Sequence, residues 1–309
     1  MRILEKKIDK RVGKEDDGMR LEHFLRRKML LTKREISRAK FRELGICVNG
    51  ERRKVHVLLK AGDLVEVILE TGEETSSNLK ASSGMLSVLY EDGDVIVVDK
   101  PSGLKVHPTG GRNMDEETLA NRLAAYLRGK DEDSVIRIVG RLDKDTSGVV
   151  LAVKNRGAAT RLERQRQSGD LFKEYLAVVK DGPELERGKI EVPLGVDPEK
   201  RNRMRVDPEG RRAVTFYEVL GMRDDYALIR LRLETGRMHQ IRVHMAWLGC
   251  PLLGDPVYGN GPILEMKRTA LHAQRIHFFQ PFTGEELWIE APVPEDMGRY
   301  LLPSTASLC

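Results

Sequence analysis

The stretch "GRLDKDTSGVVLAVKN", residues 140–155, sets two acids, two bases, Thr146, Ser147 and Gly148 side by side and then turns into an apolar run. A short apolar run bounded by turn residues reads as a buried strand, which needs a sizeable sheet around it. The D-x-T-S-G segment before it has the composition of a turn closed by side-chain to backbone hydrogen bonds. It also carries chemistry. Arg141 and Asp143 lie two apart, so on an extended segment they point the same way, toward whatever cleft the loop borders. An aspartate set among cations suits a nucleophile.

Working outward, "LSVLY", "VIVVDK", "SVIRIV", "FKEYLAVVK", "GKIEVPL", "AVTFYEVL", "YALIRLRLE", "RIHFF" and "ELWIEAP" are all of strand type. Helical patterns are few: "DEETLANRLAAYLRG" with Asp115 as its N-cap, the basic "NRGAATRLERQRQSGD", and "RMHQIRVHMAWLG". Many strands with scattered helices predict an α+β domain on a large, mostly antiparallel sheet flanked by helices. The last helical pattern carries Arg237, His239, Gln240, Arg242 and His244, more polar groups than packing requires. Its histidines are five apart, which does not put them on one helical face as in H-E-x-x-H, and each reads as a hydrogen-bonded structural residue. The arginines are the better candidates, one to hold the aspartate and others to grip phosphate.

The chain of 309 residues carries 53 Lys or Arg and 48 Asp or Glu, for a net charge of +5. Within residues 20–60, however, 13 Lys or Arg face 4 Asp or Glu, so the rest of the chain is net negative. A compact basic segment of this kind is the footprint of a phosphate-backbone binder. Inside it, "RLEHFLRRKML" and "TKREISRAKFREL" are helical, the second opened by a Thr32–Glu35 capping box and striped with Arg34, Arg38 and Arg42. Two short β runs follow around an N-G turn, with Arg52, Arg53 and Lys54 beside it. The polar, aperiodic segment 71–84 reads as a linker. The opening residues have no secretory pattern and no apolar run approaches the ~18 residues of a membrane span, which predicts a cytoplasmic protein. Three cysteines without C-x-x-C spacing, Cys47, Cys250 and Cys309, argue against a disulfide framework or a cysteine-rich zinc site.

Residues 17–70 resemble the S4 RNA-binding domain in the order of elements, the basic second helix, the "VNG" turn and the "AGDLVEV" ending. The segments "LYEDGDVIVVDKPSGLKVHP", "RLDKDTSGVVLAVKN", "FKEYLAVV", "TGRMHQIRVHMAWLGCPLLGDPVYG" and "LHAQRIHFFQPFTGE" together resemble the RluA family of pseudouridine synthases. The predicted organisation is an N-terminal extension (1–16), an S4-like domain (17–70), a linker (71–84) and a pseudouridine synthase catalytic domain (85–309). The resemblance implies that Asp143 attacks the target uridine, that Arg141 helps displace the base from its stack, that Tyr175 packs on the flipped uracil and acts on its chemistry, and that Arg242 pairs with the aspartate. Arg237 and the basic residues Arg34, Arg38, Arg42, Arg52, Arg53 and Lys54 then contact RNA. Two positions depart from the family: Gly140, where histidine is frequent, and Gln280–Pro281 in place of an H-P dipeptide.

Isomerising uridine breaks the N1–C1′ bond and rejoins the base through C5, with no redox change and no incoming group, so no cofactor or metal is required. By analogy with S4-bearing relatives, 23S ribosomal RNA or a pre-ribosomal large subunit is the expected partner, and a monomer the expected state. The alternatives are a non-catalytic S4-type RNA-binding protein, a hydrolase using Asp143 with Asp145, and a metal-dependent nuclease.

Overall fold

The computed structural model describes residues 5–70, 82, 84–108, 117–130, 136–200, 202–223, 225–259, 261 and 266–300. The first unit holds β1 (Glu5–Arg11), α1 (Leu21–Arg27), α2 (Lys33–Lys40), β2 (Ile46–Val48), β3 (Glu51–Arg52) and β4 (Leu64–Glu70). Its sheet runs β1-β4-β2-β3, and the two helices close over Phe24, Leu25, Ile36, Val65 and Val67. The Thr32–Glu35 capping box forms as predicted. Asn49 and Gly50 both take positive φ, as a two-residue hairpin turn between β2 and β3 demands.

Two expectations are corrected here. Residues 5–11 are not an appended extension, because β1 pairs along its whole length with β4 and sends Ile8 onto the core. Its sequence, EKKIDKR, hides this because an edge strand is kept from pairing with other chains by its charges. The helix carrying Arg34 and Arg38 ends at Lys40, so Arg42 lies beyond it and donates to Glu5 at 2.7 Å instead of completing a three-arginine stripe. The predicted linker, except Ser82 and Gly84, lies outside the described residues.

The second unit begins with β5 (Ser87–Glu91), β6 (Val95–Lys100), α3 (Leu119–Arg128), β7 (Arg137–Val139), β8 (Ser147–Val153) and α4 (Arg156–Ser168). It continues through β9 (Phe172–Lys180), β10 (Arg187–Glu191), β11 (Leu194–Val196), β12 (Met204–Val206), β13 (Val214–Arg223), β14 (Tyr226–Leu233), α5 (Gln240–Trp247), β15 (Leu271–Phe279) and β16 (Glu286–Glu290). Ten strands form one sheet in the order β10-β13-β14-β9-β15-β8-β6-β5, with β7 added on β8 and β16 on β15. Every pairing in it is antiparallel except β15 with β8. The α+β reading holds. Helix α3 is capped by Thr118, whose hydroxyl and Asn121 make a reciprocal box, and not by Asp115, which lies outside the described residues. Helix α5 starts at Gln240, three residues later than the pattern suggested, because His239 sits in the left-handed region at φ 53°.

The apolar run 149–153 forms the centre of this sheet. All seven residues of β8 are buried, and Val149–Val153 are central to the larger core. Gly148 stands where β8 meets β15 in parallel, with φ +108°, and a Cβ there would lie 2.1 Å from the Ala273 carbonyl oxygen. Glycine is therefore required by the approach of one backbone to another. We predict that Gly148→Ala lowers stability by about 1–3 kcal/mol through overpacking. Denaturant unfolding would read this as a lower midpoint at unchanged slope, whereas an unchanged midpoint would show that the two strands can part at this crossing without cost.

Candidate active site

The loop between β7 and β8 opens into a cleft of about 930 Å³ lined by Asp143, Arg141, Tyr175, His239 and Arg242, among others. Its backbone is gripped from beneath. Lys100 Nζ donates to the Lys144 carbonyl at 2.9 Å and to the carbonyls of Pro101 and Leu104, and the Gly103 N–H reaches the same Lys144 oxygen at 2.9 Å. Ser102 Oγ and Arg268 Nη1 donate to the Asp145 carbonyl at 2.8 and 3.3 Å. Burial depresses the Lys100 ammonium to about 8, so it is mostly charged at neutral pH while fully enclosed. The turn is thus closed through its carbonyls, which leaves the Asp143 side chain to face the cleft.

Arg242, on the first turn of α5, lies beneath that side chain. Its Nε and Nη2 donate to the two oxygens of Asp255 at 2.6 and 2.8 Å, and its Nη1 stands 3.5 Å from Asp143 Oδ2. Asp255 is fully buried, and its Oδ1 also accepts the N–H groups of Val257 and Tyr258 at 2.8 and 3.1 Å. Burial alone would raise the Asp255 carboxyl, but the Arg242 bonds and charge and the two N–H groups outweigh it and hold the group below its ordinary value. The start of α5 is pinned by Gln240, whose amide donates to the Val214 carbonyl at 2.9 Å while its oxygen accepts from Thr235 Oγ1 and Arg237 N.

His239 approaches the same carboxylate, with Nε2 3.9 Å from Asp143 Oδ2. Burial lowers its pKa and Arg242 adds to the effect, more than Asp143 opposes it, so the ring is neutral near pH 7. The Tyr258 hydroxyl accepts the Met204 N–H at 2.8 Å and lies 2.9 Å from His239 Nδ1. The hydroxyl thus holds the ring by Nδ1, with Nε2 turned toward Asp143.

Tyr175, in the middle of β9 and only 8% exposed, also lines the cleft. Burial, with the Asp143 charge added, pushes its phenol far above the ordinary range, so it remains an O–H. Lys173, two residues earlier, donates to the Val149 carbonyl at 3.0 Å and is pushed down to about 8 by burial. Arg141, Arg232 and Arg237 stand on the cleft wall, Arg232 lying 3.8 Å over the Phe172 ring and Arg237 donating to the Arg212 carbonyl at 3.1 Å. Cations thus outnumber carboxylates around the opening.

The structure brings together Asp143, Arg141, Tyr175, Arg242 and Arg237. It does not bring Arg34, Arg38, Arg42, Arg52, Arg53 or Lys54 to the cleft, since all belong to the first unit. Arg52 donates to the Lys40 carbonyl and Arg53 pairs with Glu51. Asp145 does not line the cleft, so the carboxylate pair a hydrolase would need is not formed by Asp143 and Asp145. Gly140 borders the cleft at φ +77° with open space beside it, whereas Gln280 lies elsewhere, bound to Asp92 and Asp94. Sequence reasoning missed His239, Asp255 and Tyr258. His244, by contrast, is the structural residue it was read to be, bonded to Thr215 Oγ1 and near the Val192 carbonyl.

We predict that Asp255→Asn costs about 3–5 kcal/mol by leaving the buried Arg242 guanidinium short of its counter-charge. Because the folded-state pKa of Asp255 lies below its unfolded value near 4, its stabilisation is complete above that value and is lost as pH falls through the folded pKa. Urea titrations at pH 7 and in stepped acid buffers should show the variant less stable at pH 7 and missing part of the wild-type acid slope; parallel curves would refute the assignment.

Comparison with known proteins follows the same lines. The family described as RNA pseudouridylate synthase matches residues 94–247, a span that includes Asp143, Tyr175, His239 and Arg242. The chain is 39% identical to the RNA pseudouridine synthase YlyB of Bacillus subtilis over 83% of its own length and 84% of that protein. It is 40% identical to ribosomal large subunit pseudouridine synthase D of Vibrio cholerae over 82% and 81% of the two chains. Among solved structures, human RNA pseudouridylate synthase domain containing 1 superposes with a TM-score of 0.56 at 26% identity, over 72% of this chain and 87% of that one. With a cleft assembled around Asp143 and relatives matched over most of their length, the chain belongs to the RNA pseudouridylate synthase family.

Proposed function

We propose that this pseudouridine synthase isomerises uridines of large-subunit ribosomal RNA, with Asp143 as the nucleophile. The observation that carries the reading is the Asp143 carboxylate facing a cationic cleft, with Arg242 and neutral His239 on one side and the Tyr175 phenol lining the same space. The reaction needs a base that has left its stack, at a cost of a few kcal/mol. Stacking on an aromatic such as Tyr175 offsets part of that cost, and Arg141 on the rim suits the gap left in the RNA. Asp143 then forms a bond to C1′ or to the pyrimidine ring, the N1–C1′ bond breaks, the uracil turns, C5 joins C1′, the bond to Asp143 is released, and the C5 hydrogen leaves as a proton while N1 takes one up. The step is redox-neutral, so its balance asks for no cofactor. Arg242, oriented by Asp255, and His239 hold the carboxylate in line, and Tyr175, an O–H in the free protein, packs on the flipped uracil and acts on its chemistry.

The choice of RNA rests on the relative named for the large ribosomal subunit and on the basic first unit, which resembles an S4 domain. In that unit Arg34, Arg38, Arg42, Arg52, Arg53 and Lys54 supply salt-dependent contacts to phosphate, with Arg237 continuing them at the cleft. Among the described residues no helix is long and apolar enough to cross a membrane, and we place the protein in the cytoplasm as a monomer, where this RNA is made.

Two measurements test this. Incubating 23S ribosomal RNA tritiated at uridine C5 should release tritium with the wild type and none above background with Asp143→Asn, while both bind RNA alike. Release by the variant would remove Asp143 from the role, and no release from any RNA would remove the activity. Replacing Arg34 and Arg38 with Gln should reduce the slope of log affinity against log salt by roughly 0.7–0.9 for each phosphate no longer neutralised; an unchanged slope would place the RNA elsewhere.

A further inference from the structure

The first unit does not merely precede the catalytic one; it is bolted to it. Phe282, in the turn after β15, packs against both hydrophobic cores. Lys6 of β1 lies 3.9 Å over one side of its ring and Arg161 of α4 lies 4.3 Å from the ring centre. Lys6 also pairs with Asp94, which is 3% exposed and accepts from Asn155 Nδ2 and Gln280 Nε2, each at 2.9 Å. The Gln280 oxygen in turn accepts the Phe282 and Thr283 N–H groups at 2.6 and 2.8 Å, which sets the ring in place.

Arg161 is 2% exposed and reaches across to Glu35 Oε1 at 3.2 Å and the Met29 carbonyl at 3.4 Å, while Arg164 donates to the Leu30 carbonyl at 2.9 Å. Those carbonyls follow the C-terminal end of α1, where cations are favoured. Gly157 makes room for the whole arrangement, since a Cβ there would lie 3.0 Å from the Phe282 ring and 3.2 Å from both Arg161 and Glu35. A buried guanidinium whose carboxylate partner belongs to the other unit is costly to separate.

The same helix leads to the cleft. Gln165 of α4 is clamped to β15 by paired bonds to Phe279 at 2.7 and 2.8 Å, and Arg166, Gln167 and Ser168 line the cleft wall. Arg161 and Ser168 are seven residues apart on one helix, about 10 Å along its axis. We propose that the joint made by Lys6, Glu35, Asp94, Arg161 and Phe282 holds the RNA-binding unit at a fixed reach from Asp143 and so helps determine which uridine is modified. A target must present the segment gripped by the first unit and the uridine at the spacing the joint sets. A unit swinging on a tether would accept many spacings.

This inference rests on the activity proposed above, but its first test does not. Small-angle X-ray scattering of the full chain should show one compact body. Gly157→Leu, a wedge on an otherwise intact helix, and the triple variant Lys6→Ala, Glu35→Gln, Phe282→Ala should each scatter as two separated bodies. Glu35→Gln keeps the α2 capping box, since glutamine serves in that motif. In 23S ribosomal RNA the separated variants should lose at least tenfold in the ratio of pseudouridine at the preferred site to that at other uridines. Their single-turnover rate on a short hairpin too small to touch both units should stay within twofold of wild type, which also certifies that the catalytic unit is folded. Should the triple variant not fold, Lys6→Ala with Arg164→Ala loosens the same joint from its solvent side. Separated bodies in the wild type, a variant that stays compact, or separated variants with unchanged site preference would each overturn the proposal. No pseudouridine from the wild type on any RNA would instead sink the proposed function and leave the scattering result standing.

Discussion

One guanidinium between two carboxylates organises the cleft. Arg242 spends its two best-placed donors on Asp255, at 2.6 and 2.8 Å, and offers Asp143 only Nη1, at 3.5 Å. The asymmetry has a physical meaning. The bidentate pair with Asp255 fixes the plane of the guanidinium and offsets its desolvation, as a buried charge requires. The looser link to Asp143 supplies field and direction without saturating the carboxylate, whose oxygens stay open to the cleft. A tight pair there would have made Asp143 a structural residue. His239, held at Nδ1 by Tyr258 and with its pKa lowered by burial, approaches the same carboxylate to 3.9 Å without adding a second positive charge.

The loop that carries Asp143 is held by a complementary device. Lys100, Ser102, Gly103 and Arg268 bind the carbonyls of Lys144 and Asp145 and make no demand on the side chain between them and the cleft. Backbone anchoring of this kind restrains the side chain the loop carries to a narrow range of positions. Gly148 completes it, because the loop runs directly into a strand that β15 approaches too closely for any side chain.

Much of this was legible in the sequence where one local rule governed one local element. Apolar runs such as Val149–Val153 and Val95–Val98 could only be buried strands, the Asn49–Gly50 pair announced its hairpin, and Thr32 with Glu35 announced a helix start. Asp143, Tyr175 and Arg242 stood out through motif order. What stayed hidden depended on tertiary partners. The β1 strand has one apolar residue among seven, and only its register against β4 makes it part of the unit. Asp255 sits in a Gly/Pro-rich turn whose composition looks like solvent-exposed loop, yet it is fully buried because Arg242, thirteen residues away in the chain, comes to meet it. His239 was read as helical and structural because nothing local marks its left-handed backbone, which takes it out of the helix and turns it to the cleft.

The order of strands in the first sheet bears on how the protein is made. Its earliest strand, β1, pairs with its latest, β4, so on a ribosome this small sheet stays open until residue 70 has emerged. The surfaces that then receive the unit lie at Asp94, Arg161 and Phe282, the last close to the end of the chain. The first unit is therefore synthesised well before Phe282, the last of the three surfaces to emerge, is there to receive it. Only once Phe282 has joined Asp94 and Arg161 is every contact of the joint present, so the spacing between the first unit and the cleft is set late in synthesis.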